Sequence, residues 1–374
     1  MVSKVPKKIA IILDGNRRFA KKLGLQPWKG HEYGMKKLEE LFGWCLELGI
    51  KELTLYSFST ENFNRAKNEI DFLFGLFKKK FDELLGGKVI DAYTSLGRFL
   101  PSLSYLDKEW VKGKIEQTIS EKESKYWQAF MEGYLSGGSV YDDLYSLMRP
   151  HYEYGLSCEF KQHDREYLIQ HICVGYLRGR ENLDDPNSLF RKIIDAWRPE
   201  QIREVIGFFW MQRGILMETT EENEKMRGKI IEFWRLLYKK YKDKVSLTRE
   251  DKHILSDVSK LATFLPKIET ESYEWLMISS PYVHENFNSS FFIEYLDELK
   301  NKGDGSKTAK YVGDIYLKML EKITPDYDQK HIQSIVEFLY KSSNRENAKK
   351  ICNIYGTRGY EFLRDIYEKH SNGA

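Results

Sequence analysis

At 374 residues and 44.3 kDa, the chain is long enough for two or three domains and can build a core without covalent or metal staples. Hydrophobic residues make up 41% and charged residues 31%, which excludes a disordered or collagen-like chain. Lys+Arg 59 against Asp+Glu 56 leaves a net charge of +3, so a protein built to neutralise a nucleic-acid backbone is not expected.

The first element in chain order is the apolar run Lys8-Ile-Ala-Ile-Ile-Leu13, which predicts a buried parallel strand. It ends in the turn residues Asp14-Gly15-Asn16, and Arg17–Lys22 follows as a short helix broken at Gly24 and Pro27. Met35, Leu38, Leu41, Phe42, Cys45 and Leu48 then recur on one helical face, which Gly49 closes. Glu52–Phe58 reads as a second strand, and Ile70, Leu73, Phe74, Phe77, Phe81 and Leu84 form the stripe of a further helix. The fold expected is an α/β N-terminal segment with a partial parallel sheet, in the order β-α-α-β-α, over residues 1–86.

From Gly86-Gly87 onward no αβ alternation recurs. Lys88–Ala92 offers one further short strand, and helical patterns follow from Lys122–Leu135 through Arg165–Leu177, Lys225–Tyr241 and Ala309–Ile323 to Gly359–Tyr367. Residues 87–374 are therefore expected to be a mostly α-helical array of irregular α-solenoid type. Residues 1–86 hold 16 Lys+Arg against 11 Asp+Glu, and the remainder 43 against 45, so a basic segment precedes a mildly acidic one. Trp127, Trp197, Trp210, Trp234 and Trp275 are expected as core anchors of the helical part. Four scattered cysteines without a C-x-x-C pair fit a reducing compartment. His151, His163 and His171 near Cys158 and Cys173 lack the spacing of zinc ligands. No targeting segment is read at the N-terminus, so a cytoplasmic location is expected, with peripheral membrane association as the minority alternative.

Ligands of an open parallel sheet sit beyond the carboxyl ends of its strands. There the first strand offers Asp14-Gly-Asn-Arg-Arg18 and the second offers Ser59-Thr-Glu-Asn-Phe-Asn-Arg65. Carboxylates, guanidinia, hydroxyls and amides meet in this pair of loops, and Gly15 lets backbone N–H groups approach an anion. Asp14 supplies the hard oxygen that Mg²⁺ takes beside phosphate. A plain surface turn with helix caps is the alternative reading of Asp-Gly-Asn alone.

The run Ile9-Ala-Ile-Ile-Leu-Asp-Gly-Asn-Arg-Arg-Phe-Ala-Lys-Lys22, then Gly30-His31-x-x-Gly34, then Leu53-Thr-Leu-Tyr-Ser-Phe-Ser-Thr-Glu-Asn-Phe-Asn-Arg65, resembles the cis-prenyltransferase family, in its archaeal and eukaryotic branch. The resemblance covers about residues 7–85. It implies condensation of isopentenyl diphosphate with an allylic prenyl diphosphate, with Mg²⁺ as cofactor. By that resemblance Asp14 holds the metal and diphosphate, and Gly15, Asn16, Arg17, Arg18, Phe19 and His31 line the allylic diphosphate. Ser59, Thr60, Glu61, Phe63 and Arg65 complete the substrate site, and Asn62 stands at the proton-acceptor position. Two departures stand out: Pro27 replaces the family's usual arginine, with Lys29 as its nearest substitute, and residues 86–374 carry no Arg-x-Ser-Gly-Glu segment. The alternative function is a catalytically impaired fusion whose helical region is a protein-binding scaffold, with a protein partner on that surface.

Overall fold

The computed structural model describes residues 5–303, 305–342 and 344–371, with only the backbone of Thr60. The chain forms two compact units. One comprises the chain up to Leu96 with Ser124–Phe130, and the other Gly97–Glu123 with the chain from Met131 onward.

In the first unit, β1 (Lys8–Ile12) leads into α1 (Asn16–Lys22), a 3₁₀ turn at Pro27–Lys29 and α2 (Gly30–Glu47). Next come β2 (Glu52–Tyr56), a 3₁₀ turn at Thr60–Asn64, α3 (Lys67–Gly86) and α4 (Ile90–Arg98). β1 and β2 pair in parallel from Lys8 opposite Glu52 to Ile12 opposite Tyr56. Parallel pairing requires a crossover, which α1 and α2 provide.

Both strands are covered on one face only. Ile9, Ile11, Leu53 and Leu55 turn inward, whereas Ile12 is 72% and Tyr56 58% exposed. The continuous apolar run of β1 predicted a strand buried on both sides; two strands with helices on one face leave alternate residues in solvent. The strand expected at Lys88–Ala92 is replaced by a turn and the start of α4. Lys88 takes φ 56°, and its ammonium lies 5.1 Å from the Tyr126 ring centroid.

Among the described residues, helices are the regular elements of the second unit, joined by turns and loops. Several of its helices pack on the helix two places further along. Gln162–Leu177 meets Pro199–Met211, Glu221–Tyr241 meets Thr270–Ser279, that helix meets Gly305–Leu320, and Gly305–Leu320 meets Arg345–Thr357. Polar side chains repeat the pattern: Arg235 Nε reaches Glu271 at 2.6 Å, Tyr273 reaches Asp314 at 3.3 Å, and Asn347 reaches Asp314 at 2.8 Å. Trp127 in the first unit and Trp234 and Trp275 in the second are buried as expected of anchors, with Trp234 and Trp275 packed ring to ring at 5.4 Å. Trp210 is only half-buried, with the Arg213 guanidinium 3.9 Å above its ring. His151 and His171 are also core residues: Tyr134, Tyr152 and His171 form a buried hydrogen-bonded chain with steps of 2.9 and 3.2 Å. No described helix is long and apolar enough to cross a membrane.

Candidate functional site

The parallel register brings the loops after β1 and β2 out at the same end of the sheet. The Leu13 N–H donates to the Tyr56 carbonyl at 3.0 Å, so the two strands stay joined up to the point where the loops leave. Gly15 then takes φ 91°, a left-handed conformation that suits glycine, and turns the chain into α1. The Asp14 carboxylate accepts from the Gly15 N–H and from the Arg18 guanidinium at 3.0 Å, and its side chain is 77% exposed.

The turn is seated against α2 because α2 has no side chains where it lands. A Cβ on Gly30 would meet the Asn16 carbonyl oxygen at 2.0 Å, and one on Gly34 would meet Asn16 Oδ1 at 2.6 Å. This is the physical content of the Gly-His-x-x-Gly spacing: glycines at i and i+4 share one helix face and accept the loop. His31 stands beside them, with Nδ1 3.4 Å from Asn16 Nδ2. An amide donor on Nδ1 leaves Nε2 carrying the proton, and Nε2 faces Glu69 Oε1 at 3.5 Å.

Glu69 is the residue that the motif reading passed over. It lies in the first turn of α3, its side chain only 4% exposed, where the positive end of the helix dipole favours a carboxylate. Its Oε1 receives His31 at 3.5 Å, Arg65 at 3.4 Å and Arg17 at 3.7 Å. Burial lowers the His31 pKa, the hydrogen bond and charge of Glu69 oppose that, and Arg65 and Arg17 lower it further. The available signal was the Arg65–Glu69 i,i+4 spacing at a helix start.

A cleft of about 610 Å³ opens beside this cluster within the first unit. Asp14, Asn16 and His31 lie at its polar part, and Phe19, Leu38, Leu41, Trp44, Leu73, Leu76 and Phe77 supply apolar wall. Phe19 meets Tyr33 edge-on at 5.5 Å. The second loop is only partly gathered in. Arg65 joins through Glu69, but Ser59, Glu61, Asn62 and Phe63 do not line the cleft. The Asn62 amide turns back on Ser59, donating to its carbonyl at 3.2 Å and to its hydroxyl. Phe63 packs on Phe58 at 5.1 Å, and Glu61 is exposed. The Thr60 side chain lies outside the described residues. Lys29 is held by Glu32 at 3.4 Å and lies over the Phe72 ring, away from the cleft lining. In the second unit the charge cluster Arg178–Glu181 is tied up locally. Buried Glu181 accepts from Tyr145 and from the Leu189 N–H, and Arg178 and Arg180 pair with Asp142.

Residues 12–130 match the family model of undecaprenyl diphosphate synthase, a span that continues past Leu85, where the recognisable motifs end. The chain is 36% identical to the tritrans,polycis-undecaprenyl-diphosphate synthase (geranylgeranyl-diphosphate specific) of Pyrococcus horikoshii over 189 residues, 50% of this chain and 68% of that protein. The Pyrococcus furiosus protein of the same name is 35% identical over 188 residues, with the same coverage. A human dehydrodolichyl diphosphate synthase complex subunit is 51% identical over 84 residues, 22% of this chain and 25% of that protein. No solved structure matches. With its motif loops, its glycine-seated turn and relatives matched over two thirds of their length, the chain belongs to the undecaprenyl diphosphate synthase family of cis-prenyltransferases.

Proposed function

We propose that the chain binds an allylic prenyl diphosphate in the cleft and condenses it with isopentenyl diphosphate. Geranylgeranyl diphosphate is proposed as the allylic primer, after the names of the archaeal relatives. One observation carries this reading: an apolar cleft of about 610 Å³ whose polar part holds Asp14, Asn16 and His31, next to Arg17 and Arg65. That volume suits a small-molecule ligand with a long apolar portion.

The chemistry divides among the chain's own residues. The prenyl chain lies along Leu38, Leu41, Leu73 and Phe77, out of water. Gly15, Asn16, Arg17, Arg18, Phe19 and His31 surround the allylic diphosphate, and their donors stabilise its charge as the carbon–oxygen bond breaks. Ser59, Thr60, Glu61, Phe63 and Arg65 serve the second substrate, and Asn62 accepts the proton released when the new carbon–carbon bond forms. The Ser59–Asn62 turn closes towards the cleft to do so. Asp14 would hold Mg²⁺, and its exposed carboxylate fits an ion that takes one protein oxygen and fills its shell with phosphate oxygens and water. When bound, Mg²⁺ neutralises charge on the departing diphosphate.

Labelled geranylgeranyl diphosphate tests the binding step. The wild-type chain with Mg²⁺ is expected to bind it more tightly than inorganic pyrophosphate, because the cleft adds apolar contact. Equal affinities would contradict the assignment of the cleft.

A second reading concerns residues 87–374. Cross-helix pairs recur at similar sequence separations: 36 for Arg235 and Glu271, 41 for Tyr273 and Asp314, and 39 for Tyr316 and Tyr355. Such recurrence supports a solenoid surface that docks a protein partner. Peripheral contact with a membrane surface suits a long polyprenyl product and belongs to the same proposal.

A further inference from the structure

We infer that Glu69 is the buried counter-ion that assembles the diphosphate-binding cations before substrate arrives and then competes with the diphosphate for them. The inference rests on the reading that Arg17, His31 and Arg65 face a diphosphate. Three cationic or protonatable groups from α1, α2 and the loop before α3 converge on one oxygen, Glu69 Oε1, at 3.4 to 3.7 Å. Without an anion between them, Arg17 and Arg65 would repel and swing into solvent, since the Arg17 side chain is already half-exposed. The carboxylate is buried and sits at a helix start, so it holds the guanidinia while itself staying fixed.

The same charge has a second consequence. A diphosphate entering beside Arg17 and Arg65 meets a negative group already bound to both, and because Glu69 itself is buried its charge is screened less than that of an exposed carboxylate. Glu69 thereby limits how tightly a diphosphate is held, which favours release of the pyrophosphate product. Glu69 is a positioning residue: it acts through Arg17, His31 and Arg65.

Two variants separate charge from shape. Glu69→Gln keeps the side-chain volume and one accepting oxygen but removes the charge, and Glu69→Asp keeps the charge on a shorter arm. Two readings are taken on the full chain: the His31 titration midpoint by NMR with labelled histidine, assigned with His31→Asn, and the affinity for inorganic pyrophosphate. Glu69→Gln is expected to move the His31 midpoint down and to bind pyrophosphate about tenfold more tightly, the size of one charge-assisted hydrogen bond. Glu69→Asp is expected to stay on the wild-type side for both readings. An unchanged His31 midpoint in Glu69→Gln would overturn the assembly of the cluster. Unchanged or weaker pyrophosphate binding by that variant would overturn the competition. Should the wild-type chain bind no pyrophosphate, the diphosphate reading of the site fails, and the His31 midpoint still decides whether Glu69 assembles the cluster.

Discussion

A methyl group on Gly30 would stand 2.0 Å from the carbonyl oxygen of Asn16. The contact joins the backbone of α2 to the backbone at the first residue of α1, and neither can yield by rotating a side chain. Gly30→Ala therefore pushes the Asp14–Asn16 turn away from the helix. Overpacking at such a contact costs about 1–3 kcal/mol, so the melting temperature falls and binding of geranylgeranyl diphosphate is lost with it. At Gly34 the first atom met is the Asn16 carboxamide, which can turn aside. Gly34→Ala is expected to cost less stability but to break the Asn16–His31 contact. Equal melting temperatures for the two variants would contradict this distinction.

Asp14 and Arg18 form an exposed i,i+4 ion pair at 3.0 Å. Exposed pairs contribute about 0–1 kcal/mol. Asp14→Ala and Arg18→Ala are thus expected to unfold in urea within about 0.5 kcal/mol of the wild type. A large loss of stability in Asp14→Ala would mean that the residue holds the fold rather than a ligand.

Much of the first unit was legible because its signals are local. Apolar runs, Asp-Gly-Asn and the stripe from Ile70 to Leu84 mark strands, turn and helix without reference to anything distant. Glu69 was not legible as part of the site, because its importance comes from His31, 38 residues away, and a lone Glu at a helix start is commonplace. In the second unit, Asp142–Gly155 was hidden by Pro150 inside the helix, which normally signals a break. Leu100–Leu106 and Leu189–Ala196 are too short for their periodicity to stand out. The covering of the sheet also lay outside local reach. An apolar strand announces that it can be buried, but which layers exist to bury Ile12 depends on the whole chain.

Two buried histidines make the helical unit acid-sensitive. Burial holds both His151 and His171 down at about 4, with the Ile115 carbonyl partly opposing the shift at His151. Below the ordinary histidine value of 6.5 the unfolded chain takes up protons that the folded chain refuses, so stability falls as pH drops from about 6.5 to about 4 and is level above that window. The full effect is about 3 kcal/mol per histidine. Denaturant midpoints measured across this range should slope, and His171→Phe should flatten the slope. Midpoints independent of pH from 6.5 to 4 would contradict the burial of both rings.

Gly175 lies where a Cβ would come within 2.3 Å of the Tyr145 ring, and the Tyr145 hydroxyl donates to buried Glu181 at 3.0 Å. Gly175→Ala is expected to displace Tyr145, leave Glu181 short of a partner and cost about 2–3 kcal/mol. Tyr145→Phe, which removes only the hydroxyl, should cost about 1–3 kcal/mol. Thermal unfolding of the two variants, with a larger loss for Gly175→Ala, checks the arrangement.

Turnover is the most direct reading of the site. The full chain is incubated with labelled isopentenyl diphosphate, geranylgeranyl diphosphate and Mg²⁺, beside Asp14→Ala. Extended polyprenyl product from the wild type, with none above background from Asp14→Ala, is the expected result. No product from a folded wild-type chain, or equal product from both, would contradict prenyl transfer at this cleft.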